Sequence, residues 1–379
     1  MVDIIYRHYR AGDEKQLADL FNLAFKRTVI TRTPTNWLWR YVNSPGFEPE
    51  MCQIAEDIDQ NKIVGAILVN LIEFIPIGYK EYLIADINDV STHPSYIKMG
   101  IATKLMANSI NYMKKKGCDF SILSTGVKGF ARSRLYQKFR YFDLEKEYFF
   151  VQIPNIIQIL RNLIGFAILF PVFFVISYLP RFLNRLRIKF KSFFKDFSYE
   201  INYNKNHFEY MNAINRINPK NYDGYPMYDE SKLTWARINV PSEEQKPTYI
   251  IIRKSEKIIG GSVITHQKVN VLKFSLKLRL GIIHEIFLDK DIFDNSTNLY
   301  LGYIYLIDKI IKAATRRYLG VLLFESSLNA DDLNRAFKGM FFFRIQNDVI
   351  MIKELKKNLK FPKRKKPFFL PTYVSLGIP

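Results

Sequence analysis

The chain has 379 residues, of which 48% are hydrophobic and 24% charged, and this composition excludes an intrinsically disordered protein. Its 56 Lys and Arg residues outnumber 36 Asp and Glu residues, and the net charge of +20 predicts an anionic partner: nucleic acid, a phosphorylated cofactor or acidic lipid. The only two cysteines, Cys52 and Cys118, exclude a disulfide framework and a paired-cysteine metal site, so we expect a reducing compartment.

The beginning of the chain contains no apolar core of the kind found in signal peptides, so we expect a cytoplasmic domain. Alternation and helical periodicity predict a mixed α/β arrangement in the first half. Its expected elements are a strand over 4–10, a helix from Asp13, a hairpin of strands at 53–56 and 63–73, a strand over 82–90, a long helix over 98–116, a strand over 120–123, a short helix over 134–138 and a strand over 142–150.

The junction after the strand at 82–90 is the most informative part of this half. The strand ends near Val90, a proline-containing turn follows, and Gly100 and Ala102 begin the long helix. Small residues permit close approach to the backbone, and the first N–H groups of a helix have no partner within it. The amides of about 98–103 therefore predict an anion site that suits a pyrophosphate.

At this junction the sequence resembles the GNAT superfamily of acetyl-CoA-dependent N-acetyltransferases. Their signature [Q/R]-x-x-G-x-[G/A] aligns with residues 97–102, except that Ile97 stands where the family has Gln or Arg. The resemblance covers about residues 3–150 and implies acetyl-CoA as co-substrate, with no metal. The residues that it implies for binding acetyl-CoA are Val90, Lys98, Met99, Gly100, Ile101, Ala102 and Thr103.

The family's L-Y-x-K-x-G-F segment corresponds to residues 135–141, although Arg140 replaces the usual glycine. The resemblance implies that Tyr136 protonates the departing thiolate, which is reasonable because the pKa of a phenol, about 10, is comparable to that of a thiol. No covalent enzyme intermediate is implied, so we expect both cysteines to be small buried apolar residues.

A general base must also accept a proton from the substrate ammonium, and the candidates are Asp86, Asp89, His93 and Glu73. Strand alternation places Asp86 and Asp89 on opposite faces unless a bulge intervenes. We favour Asp89 because it lies nearer the end of the strand where the acyl group would sit. His93 is expected to hold the turn by hydrogen bonding.

A charge-free stretch over 162–180 is about as long as a membrane-spanning helix. Pro171 lies in its middle, and basic residues stand on both sides, so we favour a segment that lies in or dips into an anionic leaflet. A helix pair buried between two folded halves is the alternative interpretation.

Internal matches predict a duplicated domain. The pattern W-x-x-[V/I]-N-x-P occurs at 39–45 and at 235–241, and a strand ending in Ile-hydrophobic-Gly follows each occurrence. The second copy is expected to be degenerate, because Asp291 and Asp294 would repel a pyrophosphate and Phe337 replaces the counterpart of Tyr136. Its His284–Glu285 pair is expected to be structural, with a role in an acceptor site as the alternative.

The predicted fold is thus α/β, with tandem GNAT-like domains at 1–150 and 200–355, an apolar helical insertion at 151–199 and a basic tail at 356–379. We expect the tail to be a solvated charge run, or else to extend a lipid interface.

The expected activity is acetyl transfer to an amine of an amino sugar, a small molecule or a protein lysine, at an anionic membrane surface. Aminoacyl or acyl transfer on tandem domains and a non-catalytic membrane-bound binding module are the alternatives. Nucleic acid is the least expected partner, because no base-stacking pattern is present.

Overall fold

The structure is a computed structural model that describes residues 3–25, 32–154, 170–203, 205, 207–271 and 276–370. The strands within these residues are β1 Ile4–His8, β2 Cys52–Asp57, β3 Lys62–Ile77, β4 Lys80–Thr92, β5 Phe120–Gly126, β6 Phe142–Gln152, β7 Phe197–Tyr203, β8 Thr248–Lys254, β9 Lys257–Val271, β10 Leu276–Leu288, β11 Val321–Ser327 and β12 Phe343–Glu354. The α-helices are α1 Glu14–Ala24, α2 Pro34–Arg40, α3 Ile101–Lys115, α4 Phe170–Lys189, α5 His207–Asn221, α6 Glu230–Leu233, α7 Ser296–Arg316 and α8 Asp331–Gly339. The predicted α/β class with mixed sheets is confirmed.

The chain forms two compact units, and neither is a continuous stretch of sequence. The N-terminal unit comprises Met1–Lys146 with Asp348–Lys365, and the C-terminal unit comprises Glu147–Asn347 with the described residues from Lys366. These bounds differ from the expected domains at 1–150 and 200–355. Strand pairing explains the first difference, because Asp348–Glu354 of β12 pairs antiparallel with Phe120–Gly126 of β5.

The sheet of the N-terminal unit has the order β1-β2-β3-β4-β5-β12. Only the β4–β5 pair is parallel among the pairs within this sheet, and α3 connects the two strands. The apolar stripe of α3, which includes Leu105 and Met106, is buried against one face of the sheet. Helices α1 and α2 cover the other face, where Trp37 of α2 is fully buried. The site described below therefore lies where two neighbouring parallel strands meet the beginning of a helix.

The C-terminal unit has a sheet of the same form, in the order β7-β8-β9-β10-β11-β6. Its β10–β11 pair is parallel, and α7 connects these strands. The predicted insertion contributes α4, whose later turns pack on α7 because Arg181 and Arg185 pair with the buried Asp308. Part of the charge-free stretch, 162–169, lies outside the described residues. No helix in the described part of the chain has the length and apolar character needed to cross a membrane.

Part of the tail that is predicted to be solvated is instead packed. In the N-terminal unit, Arg364 pairs with the buried Glu145, and the ring of Phe361 lies 5.2 Å from that of Phe120. In the C-terminal unit, Phe368 is fully buried and forms a backbone bridge with Asp223. The expectation of a solvated charge run holds for most of the cations, since Lys356, Lys357, Lys360, Lys363 and Lys365 are exposed, whereas Arg364 and the aromatic residues that follow are packed.

Candidate active site

The junction between β4 and α3 has the backbone that an anion site needs. Gly100 is the N-cap of α3 and adopts a left-handed conformation with φ 80° and ψ 0°. Lys98, two residues earlier, also has a positive φ of 68°. This turn brings the chain into the first turn of α3, where the N–H groups of residues 101–103 lack partners within the helix. The predicted anion-binding geometry is therefore present at the predicted residues.

A cavity of about 800 Å³ opens at this helix terminus. It is lined by residues of three segments, namely the end of β4, the 96–103 junction and the 130–138 segment. All of the residues predicted to bind acetyl-CoA line it except Met99, whose side chain is 48% exposed. The cavity is within the 300–1,000 Å³ range of small-molecule and cofactor sites.

The lining suits a ligand that is anionic at one end and apolar along its length. Lys98, Arg134 and Lys138 supply positive charge, and no acidic side chain is among the lining residues. The apolar walls come mainly from Val90, Ile101, Ala102, Phe130 and Leu135. A coenzyme A thioester has this distribution of charge. A side chain at residue 100 would extend into open space, because no atom lies within 4 Å of the position its Cβ would take.

Gly65 of β3 allows α3 to approach the sheet closely. A Cβ at this position would lie 2.5 Å from Cγ2 of Ile101 and 3.1 Å from Cδ1 of Leu105. Real Cβ atoms do not approach other heavy atoms so closely, so the absence of a side chain here sets the depth at which α3 packs. The position of the first turn of α3, and thus of the anion site, depends on this contact.

Tyr136 lies on a π-helical turn, Arg132–Tyr136, that follows β5. Its ring is 6.3 Å from that of Tyr141, and its side chain is 6% exposed. Tyr136 is not itself among the residues that line the cavity, although its neighbours Arg134 and Leu135 are. Burial raises the pKa of Tyr136, so its phenol is protonated at neutral pH but releases the proton less readily than an ordinary phenol.

Arg140, which replaces the family's glycine, keeps the backbone that glycine favours. It ends the segment in a left-handed conformation with φ 62° and ψ 36°. The substitution therefore leaves the turn in place and introduces local strain, because a non-glycine residue in this region costs about 1–2 kcal/mol.

Asp89 occupies a buried ion cluster on the side of the sheet covered by α1 and α2. It accepts a hydrogen bond from the Tyr41 hydroxyl at 2.5 Å, and Nε of Arg32 and Nη1 of Arg40 lie 3.6 and 3.9 Å from its carboxylate. Burial acts to raise the pKa of Asp89, but the two guanidinium groups and the Tyr41 hydroxyl prevail and lower it. A carboxylate with a lowered pKa is a weak base, so this environment disfavours the predicted role of Asp89.

Asp86 lies in a different environment from Asp89, although a bulge in the strand pairing brings both carboxylates near Arg40. The register between β3 and β4 shifts between Leu68 and Ala66, and Asp89 has a φ of 45°. The exception that was allowed for a bulge therefore applies, and Arg40 acts on the pKa of both aspartates. Burial raises the pKa of Asp86 well above its ordinary value, against the opposing effect of Arg40.

The environment of Asp86 extends toward Tyr136 through Tyr141. Asp86 accepts a hydrogen bond from the Asn88 side chain and contributes to a raised pKa of Tyr141, for which burial is the larger cause. The hydroxyl groups of Tyr141 and Ser121 are hydrogen-bonded at 2.8 Å. The structure thus brings Asp86, Tyr141 and Tyr136 into one neighbourhood that sequence spacing did not reveal.

The other candidate residues have simpler roles. His93 accepts a hydrogen bond from the backbone N–H of Ser95 at 3.2 Å, which confirms its predicted role in holding the turn. Glu73 lies on β3 opposite Ile84, away from the bulge. Cys52 and Cys118 are both buried, as predicted, and burial raises the pKa of the Cys118 thiol to about 11. No cluster of three or more metal-binding side chains occurs within the described ranges.

The corresponding part of the C-terminal unit carries different side chains. Before α7 the chain carries Asp291, which pairs with Lys220. The residue that corresponds to Tyr136, Phe337, is fully buried and stacks on Phe324. At the bulge in β10 the buried Glu285 accepts a hydrogen bond from Tyr225 at 2.8 Å. Its other partners are the hydroxyl groups of Tyr210 and Tyr228 and the guanidinium of Arg237.

The pattern of residues 5–141 matches the family model described as Acetyltransferase (GNAT) domain. No curated protein sequence gives a match. Among solved structures, Saccharomyces cerevisiae N-myristoyltransferase with bound myristoyl-CoA is similar, with a TM-score of 0.68 and 11% identity over 93% of this chain and 78% of that one.

Two bacterial structures are also similar. The GCN5-related N-acetyltransferase from Anabaena variabilis has a TM-score of 0.59 and 14% identity, over 93% of this chain and 73% of that one. A probable N-acyltransferase from Enterococcus faecalis has a TM-score of 0.56 and 9% identity, with the same coverage. At these identities the likeness concerns the fold, and it extends over most of the chain.

Proposed function

Because residues 5–141 match the family model of a GNAT acetyltransferase domain, we propose that this protein transfers an acetyl group from acetyl-CoA to a primary amine. The cavity at the beginning of α3 supports this proposal most directly. It combines unpaired helix amides, three cationic side chains and apolar walls, and so fits both the phosphates and the acyl end of a coenzyme A thioester.

The proposed reaction is direct attack of the amine on the thioester. Bound acetyl-CoA supplies the thioester carbonyl; the C–N bond forms and the C–S bond breaks, so that the products are an amide and coenzyme A. Tyr136 donates its phenolic proton to the leaving sulfur. Asp86 accepts the proton that the amine loses, because its raised pKa makes it a stronger base than Asp89. The two transfers balance, and solvent restores both side chains.

Calorimetry with acetyl-CoA tests the cofactor site. The Gly100→Glu variant places a carboxylate in the cavity, and Gly46→Glu is its matched control, because Gly46 has a similar φ of 78° and equally open surroundings. We expect micromolar binding by the unmodified protein and the control, and loss of binding by Gly100→Glu. No binding by the unmodified protein, or equal binding by both variants, would contradict the proposed site.

The role of Tyr136 is tested by steady-state kinetics of the Tyr136→Phe variant. We expect kcat to fall by about 10²-fold or more, which is the ordinary contribution of a general acid, while affinity for acetyl-CoA is unchanged. The matched control is Tyr141→Phe, which removes the neighbouring hydroxyl and its bond to Ser121. If Tyr136→Phe turns over as fast as the unmodified protein, another group protonates the thiolate.

A longer acyl group is the second candidate substrate, since one of the similar structures contains myristoyl-CoA. Competition between acetyl-CoA and a series of longer acyl-CoAs decides between them. Aminoacyl transfer on tandem domains is a further alternative, and the turn at Gly100, Ile101 and Ala102 favours acetyl-CoA over it. A non-catalytic module would bind acyl-CoA without turnover of any amine.

We also propose that the C-terminal unit is a second, degenerate GNAT-like copy. Two observations support this proposal: the strand order is repeated with one parallel pair in each sheet, and a helix connects the strands of that pair. Acidic residues before α7 and Phe337 disfavour a second acyl-CoA site. The test is the stoichiometry of acetyl-CoA binding, for which we expect one site per chain.

Association with an anionic membrane surface belongs to the same proposal, because α4 exposes an apolar face. Four large apolar side chains of α4, spaced at i, i+4, and that of Phe190 just after the helix are between 42% and 81% exposed. We name this set the α4 apolar face: Tyr178, Leu179, Phe182, Leu183 and Phe190. Arg187 and Lys189 lie beside it and are exposed. Aromatic and aliphatic anchors beside cations suit an interfacial helix, and the acceptor amine would then be presented at the bilayer surface.

A further inference from the structure

A second concave site lies in the C-terminal unit, remote in sequence from the acyl-CoA cavity. It has a volume of about 330 Å³ and lies where β9 and β10 meet the end of α7. Three arginines line it, Arg279 of β10 and Arg316 and Arg317 at the end of α7, together with the buried His266 of β9. We propose that this pocket, the arginine pocket, binds a phosphoryl group.

The arginines carry more charge than the acidic residues of the pocket neutralise, although Glu244 also interacts electrostatically with Arg279. None of the three forms an ion pair with an acidic side chain in the described parts of the chain. Two acids also line the pocket, but Glu243 pairs with Lys246 and Glu244 pairs with Lys268. The local surplus of positive charge therefore stays with the arginines, and an anion in the pocket would relieve their mutual repulsion.

Two of the guanidinium groups are held in place without a carboxylate. Nη1 of Arg279 donates a hydrogen bond to the carbonyl oxygen of Arg317 at 3.4 Å. The guanidinium of Arg317 stacks on the ring of Tyr203 at 4.6 Å. These contacts use one N–H group of Arg279 and one face of Arg317, so most of the donors stay available. Pre-oriented guanidinium groups suit the tetrahedral oxygens of a phosphate.

The end of a helix alone does not account for this arrangement. Cations at the C-terminus of α7 interact favourably with the helix dipole, and this interaction is sufficient to explain why Arg316 and Arg317 occur there. Arg279 and His266 belong to the sheet, and they have no such reason to lie beside these cations. Burial and the nearby Arg317 lower the pKa of His266 to about 4, so its imidazole is neutral and can donate a hydrogen bond to an anion.

Thermal denaturation in inorganic phosphate, with chloride at equal ionic strength as reference, tests the proposal. Phosphate should raise the midpoint of the unmodified protein in a concentration-dependent way. Arg316→Gln changes an exposed side chain, and Arg279→Gln changes the strand side; each should weaken phosphate binding by about tenfold or more. Arg335→Gln is the control, because Arg335 also stacks on a tyrosine ring, that of Tyr300, but does not line the pocket.

The Gly100→Glu variant separates this site from the acyl-CoA cavity, which also attracts phosphate. Phosphate should stabilise Gly100→Glu as it stabilises the unmodified protein. Loss of the effect in Gly100→Glu with retention in Arg279→Gln and Arg316→Gln would overturn the proposal. Equal stabilisation by acetate would overturn the preference for a phosphoryl group.

Two sources of the phosphoryl group are distinguished by a further pair of probes. Vesicles containing a phosphorylated inositol lipid should compete with inorganic phosphate if the ligand is a lipid headgroup, whereas soluble inositol phosphate should do so if the ligand is free in solution. The competition must be lost in Arg316→Gln. Competition that persists in this variant would place the ligand elsewhere.

Discussion

The ion cluster around Asp89 gives the sharpest prediction, because its removal should affect folding before it affects chemistry. Asp89→Asn would leave the guanidinium groups of Arg32 and Arg40 without their carboxylate, and these side chains are only 5% and 1% exposed. Removing one partner of a buried ion pair costs about 3–5 kcal/mol. Since a protein of ordinary stability has about 5–15 kcal/mol, we expect the N-terminal unit of this variant to be close to unfolding.

Urea denaturation followed by tryptophan fluorescence measures this loss. Two of the three tryptophans, Trp37 and Trp39, are on α2, beside the cluster, and a Trp235→Phe background removes the third. In that background the signal reports the N-terminal unit alone. Asp19→Asn is the control for a lost carboxylate, because Asp19 forms only an exposed pair with Lys15, and such exposed pairs contribute little to stability.

Asp86→Asn should show the opposite pattern. Its raised pKa means that the folded protein resists the ionised form, so the neutral amide should cost less than about 1.5 kcal/mol. If Asp86 is the base, kcat should fall by about 10²-fold or more. If the Asp89→Asn variant is stable but inactive, and the Asp86→Asn variant is unstable but active, the assignment of Asp86 as the base is refuted. Asp89 would then be the base.

The two aspartates should also differ in their pH dependence. The folded-state pKa of Asp89 is lowered, so its stabilisation is present above the unfolded pKa of about 3.9 and is lost as the pH falls through the folded value. The folded-state pKa of Asp86 is raised, so its contribution is present below about 3.9 and is lost as the pH rises through the folded value. Asp86→Asn should therefore gain stability relative to the unmodified protein as the pH rises above about 3.9 toward the folded-state pKa.

Three further predictions concern other parts of the chain. Gly65→Val should destabilise the N-terminal unit by about 1–3 kcal/mol in urea, because its side chain would overlap Ile101; an unchanged midpoint would contradict the close packing of α3. Arg140→Gly should raise thermal stability slightly, by at most about 1 kcal/mol, because strain is relieved while unfolded-chain entropy increases. Replacing Phe182 and Leu183 by Glu should abolish co-sedimentation with phosphatidylglycerol vesicles and leave acetyl-CoA affinity intact; persistent binding would exclude the α4 apolar face.

The turn and cavity of the proposed acyl-CoA site could be predicted because their signal is local. A strand, a turn with Gly100 and the first turn of a helix are neighbours in sequence, and helix termini have predictable unpaired amides. The same reasoning could not assign the partner of Asp89. Its arginines and tyrosine are 48 to 57 residues away along the chain, and the φ of 45° at Asp89 moves it off the face that strand alternation gives.

The tail shows the same limit on a larger scale. Charge density alone indicates a solvated segment, and nothing within 356–370 identifies an acidic partner. Arg364 finds Glu145 at a separation of 219 residues, because β12 has already brought the tail to the sheet of the N-terminal unit. Long-range strand pairing therefore decides both where the first unit ends and which of its final cations, here Arg364, finds a buried carboxylate.

The proposed duplication bears on the assignment of the base. Each unit buries an arginine from the repeated W-x-x-[V/I]-N-x-P segment beside a carboxylate on a bulged strand, although the two arginines stand at neighbouring positions of the segment, second for Arg40 with Asp89 and third for Arg237 with Glu285. The C-terminal copy lacks the glycine turn for an acyl-CoA and has Phe337 in place of the acid, yet it has this pair. A pair that occurs without the rest of the chemistry is best explained by the fold, in which it fixes the bulge against the covering helices. By the same argument we expect Asp89 to be a structural residue in the N-terminal unit and propose that Asp86 accepts the proton of the attacking amine.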